Sequence, residues 1–117
     1  MKRLLLAVAV AVLVPSTAAL ALTVKPDWVA LPSPDDLAAA YPASARAKGV
    51  AGGAVLDCAV TDVGRLAECR VTREWPANEG FGEAAIQLSH LFALRRAPEE
   101  PNHRRISVPI RFSLPHP

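Results

Sequence analysis

The sequence predicts an α+β fold of two layers, in which helices cover one face of a three-stranded antiparallel sheet. The segments 54–60 and 106–114 alternate apolar and polar residues, and a shorter apolar segment between them predicts the third strand. A segment of helical period separates the last two strands, and two short helical segments precede the first. All three strands have one apolar face, so the helices must lie together on that side of the sheet.

The N-terminus has the three parts of a secretory signal peptide, which we assign to residues 1–21. Met1–Arg3 is basic, Leu4–Val14 is apolar, and Ala19–Ala21 has the small-residue spacing of a cleavage site. The apolar run is shorter than the ~20 residues that span a bilayer. The alternative is an uncleaved inner-membrane anchor that continues through Pro15 to Leu22. Both interpretations place the rest of the chain outside the cytoplasm.

The charge balance gives no support for nucleic-acid binding. The chain has 13 Lys and Arg residues against 11 Asp and Glu residues, with a formal net charge of +2. Removal of Lys2 and Arg3 with the signal peptide leaves equal numbers of basic and acidic residues. No large basic cluster remains. The arginine pairs at 95–96 and 104–105 are expected to lie in solvated loops.

Residues 22–33 predict a linker, because Pro26 and Pro32 interrupt a segment that has no hydrophobic period. The folded domain is therefore expected to cover residues 34–117. Within the linker, Trp28 either packs back onto the sheet or anchors a partner, and the sequence does not choose between these alternatives.

Two short helices are predicted at the start of the domain. Ser33 fits an N-cap, and Pro34 fits the first helical position. Pro42 disfavours helical geometry at Tyr41 and should separate the first helix from the second. Gly49 is expected to cap the second helix at its C-terminus.

A hairpin with two cysteines follows, and Gly64 supplies the positive φ of its turn. Leu66 and Cys69 lie an odd number of residues apart, so a bulge near Ala67–Glu68 is needed to bring both to the core face. Cys58 and Cys69 then lie nearly opposite each other. We expect a disulfide rather than two reduced thiols, because exported proteins meet oxidising conditions. The eleven-residue spacing fits no metal or redox motif.

The hairpin is expected to end at Trp75. Its side chain either caps the core, which is the interpretation we favour, or presents an exposed aromatic ring to a partner. An amphipathic helix then extends from Phe81 to Phe92, since apolar residues recur there at intervals of three and four. Ile106–Leu114 shows the cleanest alternation in the chain. Pro109 has no N–H for a ladder, which predicts that this last strand lies at an edge of the sheet.

No set of side chains predicts catalysis or metal binding. His90, His103 and His116 are scattered, and the acidic pairs 35–36 and 99–100 are sequence neighbours that cannot face each other across a substrate. We therefore expect no enzyme, no metal, no cofactor and no small-molecule substrate.

Several segments resemble, in order and spacing, motifs of TonB C-terminal domains. They are the opening Tyr41–Ala45, the following Gly49 and Gly52, the hairpin turn Val60–Leu66 with Gly64, the helix aromatics Phe81 and Phe92, and the closing strand Ser107–Phe112. The similarity extends from residue 41 to 114. It implies the same two-layer fold and a periplasmic location.

The resemblance also implies a role in docking. Members of that family link a proton-driven inner-membrane complex to outer-membrane receptors, and they pair their last strand with an extended segment of the receptor. The expected partners are a TonB-dependent receptor or another periplasmic protein, together with the inner-membrane proton-channel complex. The expected binding residues are those of the last segment: Ile106, Ser107, Val108, Pro109, Ile110, Arg111, Phe112, Ser113 and Leu114. A long alternating strand at a sheet edge independently favours this mode of binding.

A second hypothesis is a secreted inhibitor or stability factor without a transport role. Neighbouring genes for a proton-channel pair or a β-barrel receptor would argue against it.

Overall fold

The computed structural model describes residues 26–96 and 104–114, and it confirms the predicted fold class. Three helical elements cover one face of a three-stranded antiparallel sheet, and a short two-stranded sheet lies beside them. The signal-peptide prediction for residues 1–21 falls outside the described residues. In chain order the elements are β1 (Trp28–Ala30), α1 (Pro34–Ala40), α2 (Ala43–Lys48), β2 (Gly52–Val60), β3 (Leu66–Trp75), α3 (Phe81–Leu88), a 3-10 turn (Ser89–Leu91), β4 (Ala93–Leu94) and β5 (Arg105–Phe112).

The main sheet has the order β3-β2-β5, with both pairs antiparallel. The first strand of the hairpin is therefore central. The pairing of β2 with β5 is regular from Gly52↔Phe112 to Ala59↔Arg105. Alternate residues of β2 are buried beneath the helices, and Leu56 and Cys58 are fully enclosed.

β3 departs from this regularity at two bulges against β2. At the second bulge, Glu68 and Cys69 together stand opposite Cys58, and Glu68 has a φ of 50°. The extra residue turns Cys69 toward the core, where it forms a disulfide with Cys58 across a Cα–Cα distance of 4.1 Å. The bulge and the disulfide are both present where the sequence predicts them.

The first two helices begin and end at the predicted residues. Ser33 Oγ accepts a hydrogen bond from the N–H of Asp36, whose carboxylate accepts one from the N–H of Ser33. This reciprocal capping box satisfies two donors that the helix itself leaves free. Tyr41, which precedes Pro42, has extended geometry and ends α1. Gly49 ends α2 with a φ of 68°.

The third helix is shorter than predicted. Its α-helical part ends at Leu88 and is followed by a single 3-10 turn, so Phe92 is not helical. Phe92 instead has extended geometry, with a φ of −87° and a ψ of 138°. The chain must leave the helix there because Ala93 and Leu94 form the strand β4. The apolar period continues to Phe92 because that side chain still packs into the core.

The segment 22–33, expected to be a linker, contains the strand β1, which pairs with β4. The N–H of Arg95 also donates to the carbonyl oxygen of Asp27 at 2.9 Å. The ring of Trp28 packs edge-to-face on Phe92, with a centroid distance of 5.1 Å. Of the two alternatives for Trp28, the structure therefore shows packing onto the domain. This contact gives β1 the apolar anchor that its short ladder requires.

β4 is also held against the turn of the main hairpin. Gly64 has a φ of 81°, and its carbonyl oxygen accepts a hydrogen bond from the N–H of Leu94 at 2.8 Å. A Cβ atom at Gly64 would lie 2.0 Å from the Leu94 carbonyl oxygen. Only glycine fits both this conformation and this close approach.

Three aromatic rings fill the core beside the end of β5. The ring of Phe81 lies 5.5 Å from that of Phe112 and 5.7 Å from that of Tyr41. The Tyr41 hydroxyl donates to the carbonyl oxygen of Val50, so the buried phenol has a partner. Gly52 admits the Phe81 ring, because a Cβ atom at that position would come within 2.7 Å of it.

Candidate partner-binding edge

Residues of β5 alternate strictly between the core and solvent. Ile106, Val108, Ile110 and Phe112 are buried, while Arg105, Ser107, Pro109 and Arg111 are exposed. The strand begins one residue before the predicted segment and ends at Phe112. Ser113 and Leu114 therefore follow the strand, and Leu114 packs in part against the core.

The backbone of β5 divides its hydrogen-bonding groups between two sides. The N–H of Val60 donates to the carbonyl oxygen of Arg104 at 2.8 Å, and the register is unshifted from Ala59↔Arg105 to Gly52↔Phe112. In an antiparallel ladder every second residue exchanges hydrogen bonds with its partner. The even-numbered residues of β5 therefore point their peptide groups toward β2.

The odd-numbered residues of β5 point their peptide groups away from the sheet. These outward residues are Arg105, Ser107, Pro109 and Arg111. In the described ranges 26–96 and 104–114, no strand pairs with this side of β5. We call this outward row of backbone groups the open edge.

Pro109 lies on the open edge and pairs with Val55 at a position where no ladder bond is needed. Its missing N–H therefore costs the internal sheet nothing. The predicted edge position of the last strand is observed, and the geometry shows why proline is tolerated there.

Two shallow apolar depressions flank the open edge on its helical side. One, of about 170 Å³, is lined by Leu31, Pro32, Leu37, Phe92, Pro109, Ile110 and Arg111. The other, of about 360 Å³, is lined by Pro34, Leu37, Ala38, Tyr41, Arg46, Phe112, Ser113 and Leu114. Leu37 belongs to both and forms a ridge between them.

The opposite, solvent-facing side of the sheet is rich in arginine. Asp57 on the central strand accepts hydrogen bonds from Nε of Arg105 at 3.0 Å and from Nη2 of Arg70 at 3.0 Å. The Arg105 hydrogen bond, aided by Arg70, holds the pKa of Asp57 below its ordinary value. Arg105 also donates to the carbonyl oxygens of Asp57 and Glu68, so one guanidinium joins all three strands.

Arg111, near the other end of β5, is exposed and forms no ion pair within the described part of the chain. Its cross-strand neighbour is Gly53. The indole of Trp75 lies over Gly53, where a Cβ atom would come within 2.6 Å of it, and Arg73 lies above the indole at 5.4 Å. Trp75 is thus half-buried on the outer face, and its predicted place in the core is wrong.

The residues that carry the sequence motif lie mostly away from the open edge. Tyr41, Phe81, Phe112 and Gly52 build the aromatic core, Pro42 separates two helices, Gly49 and Gly64 hold positive φ angles, and Phe92 supports Trp28. These positions preserve the scaffold, whereas the open edge lies on β5, one of the two edge strands of the sheet.

Within the same described residues, no group of three or more His, Cys, Asp or Glu side chains could hold a metal ion. The described histidine, His90, is exposed, and both cysteines are joined in the disulfide. The described surface therefore offers backbone groups, apolar depressions and arginines for binding.

Comparison with known families decides the classification. The family model for the C-terminal region of Gram-negative bacterial TonB proteins matches residues 38–114, more than half of the 117-residue chain. The chain belongs to the TonB C-terminal family. TonB-type domains are periplasmic domains of energy-coupled transport and are not enzymes. No curated protein matches the chain.

The matched part of this TonB-type domain, residues 38–114, includes the last three residues of α1, all of α2 and the whole of β5. None of the helices described in the structure has the length and apolar content needed to cross a membrane. The family match and the fold together account for the similarity noted in the motifs.

Two features of this TonB-type domain were not predicted from the sequence. The Asp57–Arg105 contact could have been found, because Asp57 is the one charged residue of β2 and opposite charges pair across neighbouring strands. The ridge at Leu37 could not have been predicted from the sequence, because it depends on how α1 packs near the end of β5.

Proposed function

We propose that this TonB-type domain is a periplasmic docking module for transport across the outer membrane. It binds an extended segment of an outer-membrane receptor, or of another periplasmic protein, by adding that segment to β5 as a fourth strand. In this proposal the inner-membrane proton-channel complex is the source of the energy.

The observation that carries the proposal is the open edge of β5. Arg105, Ser107, Pro109 and Arg111 direct peptide groups outward from a regular strand, and within the described part of the chain no other strand pairs with them. Such a row is a template on which another extended chain completes its hydrogen bonds. The sequence of the added segment matters little to these backbone bonds, so one edge can serve several receptors.

The scaffold holds this edge rigid at both ends. Arg105 binds Asp57 at the start of the strand, and Phe112 is fixed among the aromatic rings at its end. A strand that is already ordered loses little conformational entropy when a partner pairs with it. This preorganisation supports binding of short, flexible segments.

Export is the part of the proposal that rests on the signal peptide. The mature chain should begin at Leu22. Its mass should be two hydrogens less than that of the reduced chain, because Cys58 and Cys69 are joined by a disulfide. Intact-mass spectrometry of a periplasmic fraction tests this expectation. A chain that retains Met1 and two free thiols contradicts it.

A proline substitution on the open edge tests the docking mode. Ser107→Pro removes an outward N–H and leaves the ladder with β2 intact, because the peptide groups of Ser107 do not face β2. Ile110 is unsuitable, since its N–H faces β2. The matched control is Glu74→Pro, which removes an outward N–H from the opposite edge of the sheet, on β3.

The measurement is the affinity of the chain for purified TonB-dependent receptors of the same organism, with circular dichroism as the check on folding. Ser107→Pro should weaken binding by about tenfold, because it removes one backbone hydrogen bond to the partner segment and disturbs the adjacent ones. Glu74→Pro should leave binding unchanged. The proposal is contradicted if the Ser107→Pro variant folds and binds the receptor with unchanged affinity. It is also contradicted if only Glu74→Pro lowers the affinity.

A further inference from the structure

We propose that the segment recognised by β5 has an apolar–acidic–apolar pattern, with an acidic side chain facing Arg111 and apolar side chains on either side of Leu37. This inference rests on the proposed function, since it assumes that the segment pairs with the open edge. It adds the side-chain chemistry by which the edge selects among extended chains.

The spacing of the depressions sets the apolar positions. One lies beside Ile110 and the other beside Phe112, with Leu37 between them. In an added strand, residues opposite Ile110 and Phe112 face the same side as those residues, which is the helical side. They are two residues apart, or about 7 Å along a strand. Two apolar side chains at this spacing would enter the two depressions.

The residue between these two apolar positions points to the other face of the sheet. There it stands next to Arg111, which is exposed and has no ion-pair partner in the described part of the chain. The other exposed arginine on β5, Arg105, is already bound to Asp57. Charge complementarity therefore favours an acidic side chain at this one position and does not require one opposite Arg105.

Synthetic heptapeptides titrated into the isotope-labelled mature chain test the pattern by NMR. The probe carries the core Val-Glu-Val between Ser-Thr and Thr-Ser. Three comparison peptides replace this core with Val-Lys-Val, with Ser-Glu-Ser, or with Val-Val-Glu, which keeps the composition and shifts the acid onto the helical side. Chemical-shift changes report both the affinity and the strand that is contacted.

The Val-Glu-Val peptide should shift the amides of residues 110–112 on β5 and should bind at least about fivefold more tightly than each comparison peptide. In the Arg111→Glu variant the Val-Lys-Val peptide should become the tighter ligand. Arg73→Glu makes the same change of charge on β3, which is two strands from β5 and three strands from the bound segment, beyond the range of an unscreened contact. It should leave the order of affinities unchanged.

The outcomes separate the inference from the function on which it rests. Equal affinities with shifts along β5, or no reversal in Arg111→Glu, overturn the proposed pattern and leave edge pairing in place. If the Arg73→Glu variant also prefers the Val-Lys-Val peptide, the preference reflects the overall charge of the domain, and the proposed pattern is overturned. If no peptide shifts the amides of β5, the pattern and the docking function are both overturned.

Discussion

The carboxylate of Asp57, at the centre of the sheet, accepts a hydrogen bond from Nε of Arg105, the first residue of β5. The same guanidinium donates to the carbonyl oxygen of Glu68 on β3. One side chain therefore crosses the whole sheet on its solvent face. This contact holds the start of β5 against β2 and β3.

The Asp57 contact should make stability depend on pH in the acid range. Because the pKa of Asp57 is lowered below about 3.8 in the folded chain, its contribution is present above that value and is lost as the pH falls through the folded pKa. Asp57→Asn should melt below the wild type at pH 7, and the two melting temperatures should converge in acid. Thermal unfolding followed by circular dichroism measures the difference.

Asp62→Asn provides the control for this prediction, because Asp62 is an exposed acid of the hairpin turn that forms no ion pair in the described residues. Its melting temperature should follow that of the wild type at each pH. A constant gap between Asp57→Asn and the wild type down to strongly acid solution would show that the carboxylate charge is not responsible.

Removal of the disulfide should destabilise the domain by about 3 kcal/mol, because the bond closes a short loop of the unfolded chain. The double variant Cys58→Ala and Cys69→Ala tests this in urea unfolding experiments. A reducing agent should lower the stability of the wild type and leave the double variant unaffected. Equal stability of the oxidised wild type and the double variant is the result that would count against a structural role.

Gly52→Ala should destabilise the domain by about 2–3 kcal/mol through overpacking. The added methyl group would lie 2.7 Å from the Phe81 ring and 2.1 Å from the Trp75 carbonyl oxygen, and neither is free to move away. Gly49→Ala is the control, since its new Cβ atom meets nothing within 4 Å and costs only about 1 kcal/mol of backbone strain. Similar losses in the two variants would refute the packing argument.

Trp28→Ala should lower the free energy of unfolding by about 2 kcal/mol, roughly half the loss for a fully buried aromatic residue. The loss reflects the contact with Phe92 and the pairing of β1 with β4 that this contact supports. The neighbouring Val29 is 59% exposed, so Val29→Ala should be nearly neutral. Urea unfolding compares the two variants, and an equally neutral Trp28→Ala would mean that β1 adds nothing to the stability of the domain.

Features that depend on local sequence were predicted well. Ser33 and Gly49 mark helix ends because capping is decided within a few residues, and Pro109 marks an edge because proline lacks a donor. The bulge at Glu68 was predictable because the spacing of Leu66 and Cys69 conflicts with simple alternation. In each case the physical cause and its sequence signal lie in the same short segment.

Features that depend on distant partners were missed. Nothing near Trp28 in the sequence indicates that β4 would form 65 residues later, at Ala93, and pair with β1. The period of α3 likewise does not show that the helix ends before Phe92. Trp75 was assigned to the core by its size, but Gly53 opens a place for its ring on the outer face. The Leu37 ridge likewise arises only when α1 meets β5.

Pro109 also has a consequence for the behaviour of the domain at high concentration. Its missing donor divides the open edge into two short stretches, one at Arg105 and Ser107 and the other beginning at Arg111. A second copy that added its own β5 would bring a second gap of the same kind, and a register that placed Arg111 opposite Arg111 or Arg105 would bring like charges together. The strand can therefore accept a short guest segment while resisting the edge-to-edge growth that leads to fibres.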